Sequence, residues 1–205
     1  MKKMHNGKLA LTIFVITVLV SAFALSACGS ATPSDMTKAE LDDFKTEDTA
    51  ELAKLADSGQ DITFPDEFFK KLQEFSYKIG SEAIDGDKAT VEVTIDTYDM
   101  GTVYKTSSEQ VIRDYFEAAK NGEEGSADEL GQKMFSAFFE GAKSAENNYS
   151  KTVSVVLDKV DGEWILSDSE NQELFDAVFG GFLTAVNEQN ENMADEAYIN
   201  ELAGL

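Results

Sequence analysis

Twice in this chain an Asp-Gly pair falls between runs of alternating apolar and polar residues, and that pattern restricts the fold more than any other. In the first case Phe75, Tyr77 and Ile79 alternate with polar residues before Asp85-Gly86-Asp87. Val91, Val93 and Ile95 then alternate with Thr90, Glu92, Thr94 and Asp96. In the second, Val153, Val155 and Leu157 lead into Asp161-Gly162, and Trp164-Ile165-Leu166 follows. A period of two makes a strand with one buried face, and Asp-Gly supplies the left-handed backbone of a tight turn. Two antiparallel hairpins are expected.

Helices account for most of the remainder. Val111, Ile112, Tyr115, Phe116 and Ala119 share a helical face, as do Leu130, Met134, Phe135, Phe138, Phe139 and Ala142. The strongest stripe is Leu174, Phe175, Val178, Phe179, Phe182, Leu183 and Val186. Gly180-Gly181 inside it marks either close packing or a kink. Leu52 and Leu55 suggest a short helix after a break near Thr46, and Pro65 opens another with Phe68, Phe69 and Leu72. Capping boxes fit at Thr37…Glu40, Ser107…Gln110, Ser126…Glu129 and Ser169…Gln172. Helices, hairpin, two helices, hairpin and helix in that order make an α+β domain, two hairpins packed against helices.

The N-terminus addresses location. A basic start with Lys2, Lys3 and Lys8 precedes an apolar run from Leu9 to Leu25, which ends in Leu25-Ser26-Ala27-Cys28. Head, apolar stretch and small-residue cleavage site are the parts of a secretory signal peptide. The run is slightly shorter than the roughly 20 residues of a membrane-spanning helix. An aliphatic residue, two small ones and a cysteine resemble the lipobox of bacterial lipoprotein precursors. That resemblance implies cleavage between Ala27 and Cys28 and a diacylglyceryl group on the Cys28 thiol. More than one acyl chain makes a stable tether, whereas a single chain holds only marginally. The expected organisation is 1–27 signal peptide, 28–36 lipidated cysteine and short tether, 37–188 α+β domain, and 189–205 polar tail with Tyr198 and Leu202 loosely docked. The mature protein is expected to be lipid-anchored on the extracytoplasmic face of the cell membrane.

Composition narrows the chemistry of what is tethered. Removing 27 residues from 205 leaves 178, enough for one domain with a sizeable core. The 17 basic residues fall to 14 without Lys2, Lys3 and Lys8, and against 39 acids the formal charge is −25. Such acidity opposes nucleic-acid binding, which needs a basic face. The sole histidine, His5, lies in the discarded segment, and the sole cysteine carries the lipid. Ser-His-Asp and Cys-His catalysis, an internal disulfide, and ordinary zinc, haem, copper or iron–sulfur ligation are thereby excluded. Neither metal nor cofactor is expected. The acidic clusters lack the spaced ligand loop of a calcium hand.

The stretch Tyr77 to Gly101, with Gly86-Asp87 and Ala89-Thr90-Val91, and the later Thr152 to Glu170, with Asp161-Gly162 and Trp164-Ile165, resemble small lipoproteins of Gram-positive bacteria. Their domain is similar to the NTF2-like, or cystatin-like, superfamily. The resemblance implies a curved sheet wrapped around helices, often forming a ligand-holding cup, and an outward-facing domain in a single-membrane cell. Here the helical stretch between the hairpins and the helix after the last strand could each fill the cup.

Four residues carry weak ligand-binding expectations. Tyr98 and Asp99 end the second strand and could move a proton in a cup-type enzyme, with Tyr77 as a second phenol; the plainer alternative makes Asp99 a cap and Tyr98 core. Trp164 could stack on a sugar or simply anchor the core. Arg113 could clamp an anion or form a surface ion pair with a neighbouring acid. The absent residue types favour a ligand- or partner-binding module, its partner a protein, peptide or cell-envelope component, over an enzyme.

Overall fold

The computed structural model describes residues 31–50, 52, 64–123, 125–167 and 169–204. The expected signal peptide, Ala27, Cys28 and Leu55 lie outside them. Within them the chain is α+β, with a four-stranded antiparallel sheet and seven helices.

The sheet forms as the alternation requires. Strands β1 (Ser76–Asp85), β2 (Lys88–Thr97), β3 (Tyr149–Val160) and β4 (Glu163–Leu166) lie side by side in chain order. In β2 every second residue, Ala89, Val91, Val93, Ile95 and Thr97, is buried, and Val153, Val155 and Leu157 of β3 continue the same face. Burying a valine, leucine or isoleucine fully is worth roughly 1.5–3 kcal/mol, so this face is a main source of stability. Asp161 and Gly162 have φ of 52° and 91°, the pair of left-handed residues a type I′ turn needs. A bulge interrupts β1 between Ile79 and Glu82. Gly80 sits there, where an added Cβ would stand 3.1 Å from the Glu92 Cβ. Register Lys88↔Asp158 brings the two hairpin turns to the same end of the sheet.

Two helices cover the apolar face. Helix α1 (Pro33–Thr46) buries Pro33, Thr37, Leu41 and Phe44. Thr32 caps it in a full capping box with Asp35, so residues 33–36 are helix rather than the expected tether. Thr37, the cap expected from sequence, instead lies one turn inside and donates to the Pro33 carbonyl at 2.9 Å. The physical reason is Pro33, whose fixed φ suits a first helical turn and moves the start upstream. The backbone N–H and hydroxyl of Ser34 donate to Glu82 at 2.9 and 2.6 Å, while Lys45 donates to the Phe75 carbonyl at 2.9 Å. Helix α1 therefore runs along β1 with its N-terminus toward the hairpin turns. Helix α2 (Asp66–Leu72) follows it in the chain, as Pro65 suggests.

Helix α3 (Met100–Lys120) begins seven residues before the expected cap at Ser107, because Asp99 takes that role and Met100 and Tyr104 are buried in the first turns. Helix α4 (Ala127–Ala142) starts from the capping box of Ser126 and Glu129, as expected. Helix α5 (Gln172–Val178) follows Asn171 rather than Ser169 and packs on β2 and β3. The Asn171 side chain acts as a strand partner: its oxygen accepts from Val156 N–H and its amide donates to the Val156 and Ser167 carbonyls.

Gly180 and Gly181, at φ 60° and 76°, break the last stripe into α5 and α6 (Phe182–Asn192). They also allow close packing. Gly101 N–H donates to the Gly180 carbonyl at 2.9 Å, and a Cβ on Gly180 would stand 1.9 Å from the Tyr98 carbonyl oxygen. Aromatic rings join the helices, with Phe138 stacked on Phe182 at 4.6 Å and Tyr104 edge-on to Phe182 at 5.4 Å. The C-terminal residues are not a polar tail. Gln189 is buried in α6, and α7 (Glu196–Ala203) buries Leu202 and Ala203 while Lys120 donates to the Ala203 carbonyl.

Candidate functional site

The residues nominated from sequence do not converge. Asp99 accepts from Thr102 N–H at 2.9 Å and caps α3, the plainer of its two expected roles. The Tyr98 hydroxyl donates to Glu74 at 2.5 Å, and the Lys71 ammonium lies over its ring at 4.4 Å. That hydrogen bond, with some burial, raises the Tyr98 phenol above its ordinary pKa. Tyr77 donates to Asp42 at 2.7 Å and is pushed up to about 12 by burial and by that carboxylate. Each phenol thus serves a carboxylate other than Asp99. Trp164 is buried, with the Lys159 ammonium 5.2 Å from its ring. Arg113 is exposed on α3 and, among the described residues, forms no ion pair; its neighbour Asp114 accepts from Gln110 instead.

A different cluster gathers behind the two glycines. Asp176 of α5 is 6% exposed, yet both its oxygens are engaged. One accepts from Thr184 N–H at 2.9 Å and the other from the Thr184 hydroxyl at 2.8 Å. Asp176 therefore caps α6 from outside that helix, where the positive end of the helix dipole favours a carboxylate. Lys151 approaches it to 3.7 Å. The Tyr149 ring lies against Gly181, and its phenol is pushed up to about 12 by burial and then by Asp176 and Asp99. At neutral pH that phenol stays protonated. A carboxylate with both oxygens engaged is a structural cap rather than a free base. Sequence reasoning passed over Asp176, although a lone acid amid Leu174, Phe175, Ala177 and Val178 was a visible signal.

Helices cover the apolar face of the sheet beside these groups. Val91, Val93, Val155 and Leu157, the centre of the sheet's inner face, are completely buried beneath α1 and α5. The opposite face is polar and open. The Thr94 and Thr152 hydroxyls meet at 2.8 Å on it, beside exposed Glu92, Asp96 and Ser154. Among the described residues no group of three His, Cys, Asp or Glu is placed to hold a metal, and no helix is long and apolar enough to cross a membrane.

No family model and no curated protein matches this chain. Among solved structures it is similar to YcdA of Bacillus subtilis, a protein described provisionally as a lipoprotein. The two are 22% identical with a TM-score of 0.40, over 69% of this chain and 46% of that one. This chain thus matches less than half of that protein's length, and a likeness so slight carries no argument about mechanism.

Proposed function

We propose that this protein is a lipid-anchored extracytoplasmic module that binds a partner of the cell envelope rather than transforming a substrate. The observation that carries the reading is Leu25-Ser26-Ala27-Cys28, a lipobox ending four residues before the Thr32 cap of α1. The scaffold is read as NTF2-like with its cup filled, which accords with the helices on the inner face of the sheet. What remains for a partner is the open outer face with its Thr94–Thr152 hydroxyls and flanking acids. A cup-type enzyme would need Asp99 beside a phenol, whereas Asp99 caps α3 and the Tyr98 and Tyr77 hydroxyls donate to Glu74 and Asp42.

Mass spectrometry of protein from its native cell tests the anchor, with a chain beginning at diacylglyceryl-Cys28 as the expected result. Pull-downs from native membranes test the binding role, comparing the natural protein with Thr94→Lys/Thr152→Lys. A partner enriched by the natural chain and lost with the double variant is expected. An intact unmodified N-terminus, or equal recovery with both proteins, would refute the corresponding part.

A further inference from the structure

We infer that the edge of β3 from Ser150 to Ser154 takes an added β-strand, an extended basic peptide segment of a partner protein. The inference deepens the proposed binding role, on which it rests, by naming the place and the chemistry of the partner. Strand β3 is twelve residues long and β4 only four. Pairing with β4 covers Leu157 to Val160 alone, so the rest of β3 has a neighbouring strand on one side only. The direction of the unpaired groups follows from Val156. Its N–H and carbonyl bond Asn171, and the carbonyl also Ser167, whereas Lys159 N–H, of opposite parity, donates to Asp87 beside β2. Backbone groups alternate between the two sides of a strand, so those of Ser154, Thr152 and Ser150 face away from β2 as Val156 does. Among the described residues nothing pairs with them, and all three residues are exposed. The register with β2 runs unbroken from Asp158 to Tyr149, so these donors and carbonyls keep the even order that the bulge destroys in β1. Such an edge is a template for strand addition.

The surrounding side chains select what is added. On the outer face Glu92 lies opposite Ser154, and Asp96 lies opposite Ser150. Neighbouring strands stand about 4.8 Å apart, so an added strand runs roughly 10 Å from those two carboxylates. The small serines leave the way open, and a lysine or arginine side chain closes the gap together with the acid. Ser81 holds one Glu92 oxygen, and Thr94 and Thr152, midway, hold each other's hydroxyls. Lys78, opposite Thr94 on the far strand, forms no ion pair among the described residues and is one cation against two acids. On the inner face α5 runs antiparallel to β3, from Asn171 at Val156 to Asp176 at Lys151. Phe175 shares the Asn171 side of that helix one turn on, half-buried and in no ring pair among the described residues. It offers an apolar rest to an inward side chain of the added strand. The fitting segment therefore carries basic residues four apart, with apolar residues at the inward positions between them. A second copy of this chain, at a formal charge of −25, is repelled from the same acidic edge.

The probe is a peptide of sequence Thr-Lys-Val-Thr-Val-Lys-Thr, dye-labelled and titrated by fluorescence anisotropy against the full chain in detergent micelles. In antiparallel register its lysines fall opposite Ser150 and Ser154 with their amides turned to the edge, while its valine amides turn away. N-methylation of both lysine amides should weaken binding about tenfold or more, and N-methylation of both valine amides should leave it unchanged. Glu92→Gln/Asp96→Asn, on the exposed face, should weaken the probe and flatten its loss of affinity with added salt. Equal binding of the two methylated peptides, or no binding by the unmodified one, overturns the inference. An unaltered affinity and salt slope in the double variant overturns the basic character of the partner. A chain that sediments as a dimer and takes no probe gives the edge to a second copy instead. In pull-downs from native membranes, a partner retained against saturating probe refutes the edge alone, whereas no partner at all refutes the binding role as well.

Discussion

Replacing Gly180 with alanine should cost far more than replacing Gly86, although both glycines have nearly the same backbone angle. Their φ values are 60° and 63°, so each alanine bears the left-handed penalty of roughly 1–2 kcal/mol. The surroundings differ. A Cβ at Gly86 meets nothing within 4 Å, whereas at Gly180 it falls 1.9 Å from the Tyr98 carbonyl oxygen. Backbone cannot swing aside as a side chain does, so the α5–α6 junction must retreat from the start of α3. That movement strains the Gly101–Gly180 hydrogen bond, worth about 1 kcal/mol, and opens packing that costs a further 1–3 kcal/mol. Gly180→Ala should lose about 3–6 kcal/mol in all, a large share of the 5–15 kcal/mol of a typical domain. Urea unfolding of the chain from Gly29, followed by Trp164 fluorescence and circular dichroism, measures both variants. If Gly180→Ala loses no more than Gly86→Ala, the close approach of the two backbones is wrong.

Burial alone pushes the Tyr104 phenol up to about 12, so the unfolded chain releases its proton first as the solution turns alkaline. The associated stability is complete below about pH 10 and is lost as pH rises toward the folded value. Tyr104→Phe should flatten that alkaline loss in denaturation midpoints taken across the range, and an unchanged slope would count against it. The Thr97 hydroxyl is buried with no hydrogen-bond partner among the described residues. Thr97→Val should therefore match the natural protein or exceed it by up to about 1 kcal/mol in urea, and a clear loss would reveal a missed partner. Leu202→Ala should cost about 2–3 kcal/mol if α7 is docked as described, and next to nothing if the C-terminal residues are a loose tail.

Local chemistry made the sheet and most helices legible. Two consecutive left-handed residues, Asp161 and Gly162, fixed the second hairpin, a single left-handed Gly86 served the first, and the Ser126 box marked α4 because its partner Glu129 had no competing role. Two misplaced starts have different causes. Thr37 and Ser107 have the right neighbours for caps, yet Pro33 sets the first turn of α1 at Thr32, and burial of Met100 and Tyr104 draws the start of α3 back to Asp99. Asp176 was illegible as a cap because its target, Thr184, lies across a break that only the two glycine angles create. Tyr98 finds Glu74 through tertiary placement, which has no local signature, whereas Asp99 caps its own helix and Trp164 meets Lys159 across its own hairpin. The docked C-terminal helix was hidden because, of its five apolar residues, only Leu202 and Ala203 are buried.

The interrupted edge at Gly80 and Ser81 bears on how neighbouring molecules meet. Strand β1 is one of the two edges of the sheet, and ten regular residues there would offer a template for another copy's strand. The irregular step between Ile79 and Glu82 spoils the even spacing of donors and acceptors, and the Ser81 hydroxyl is turned back onto Glu92 of its own sheet. Wherever many copies crowd together, this notch makes strand-to-strand joining along β1 less favourable.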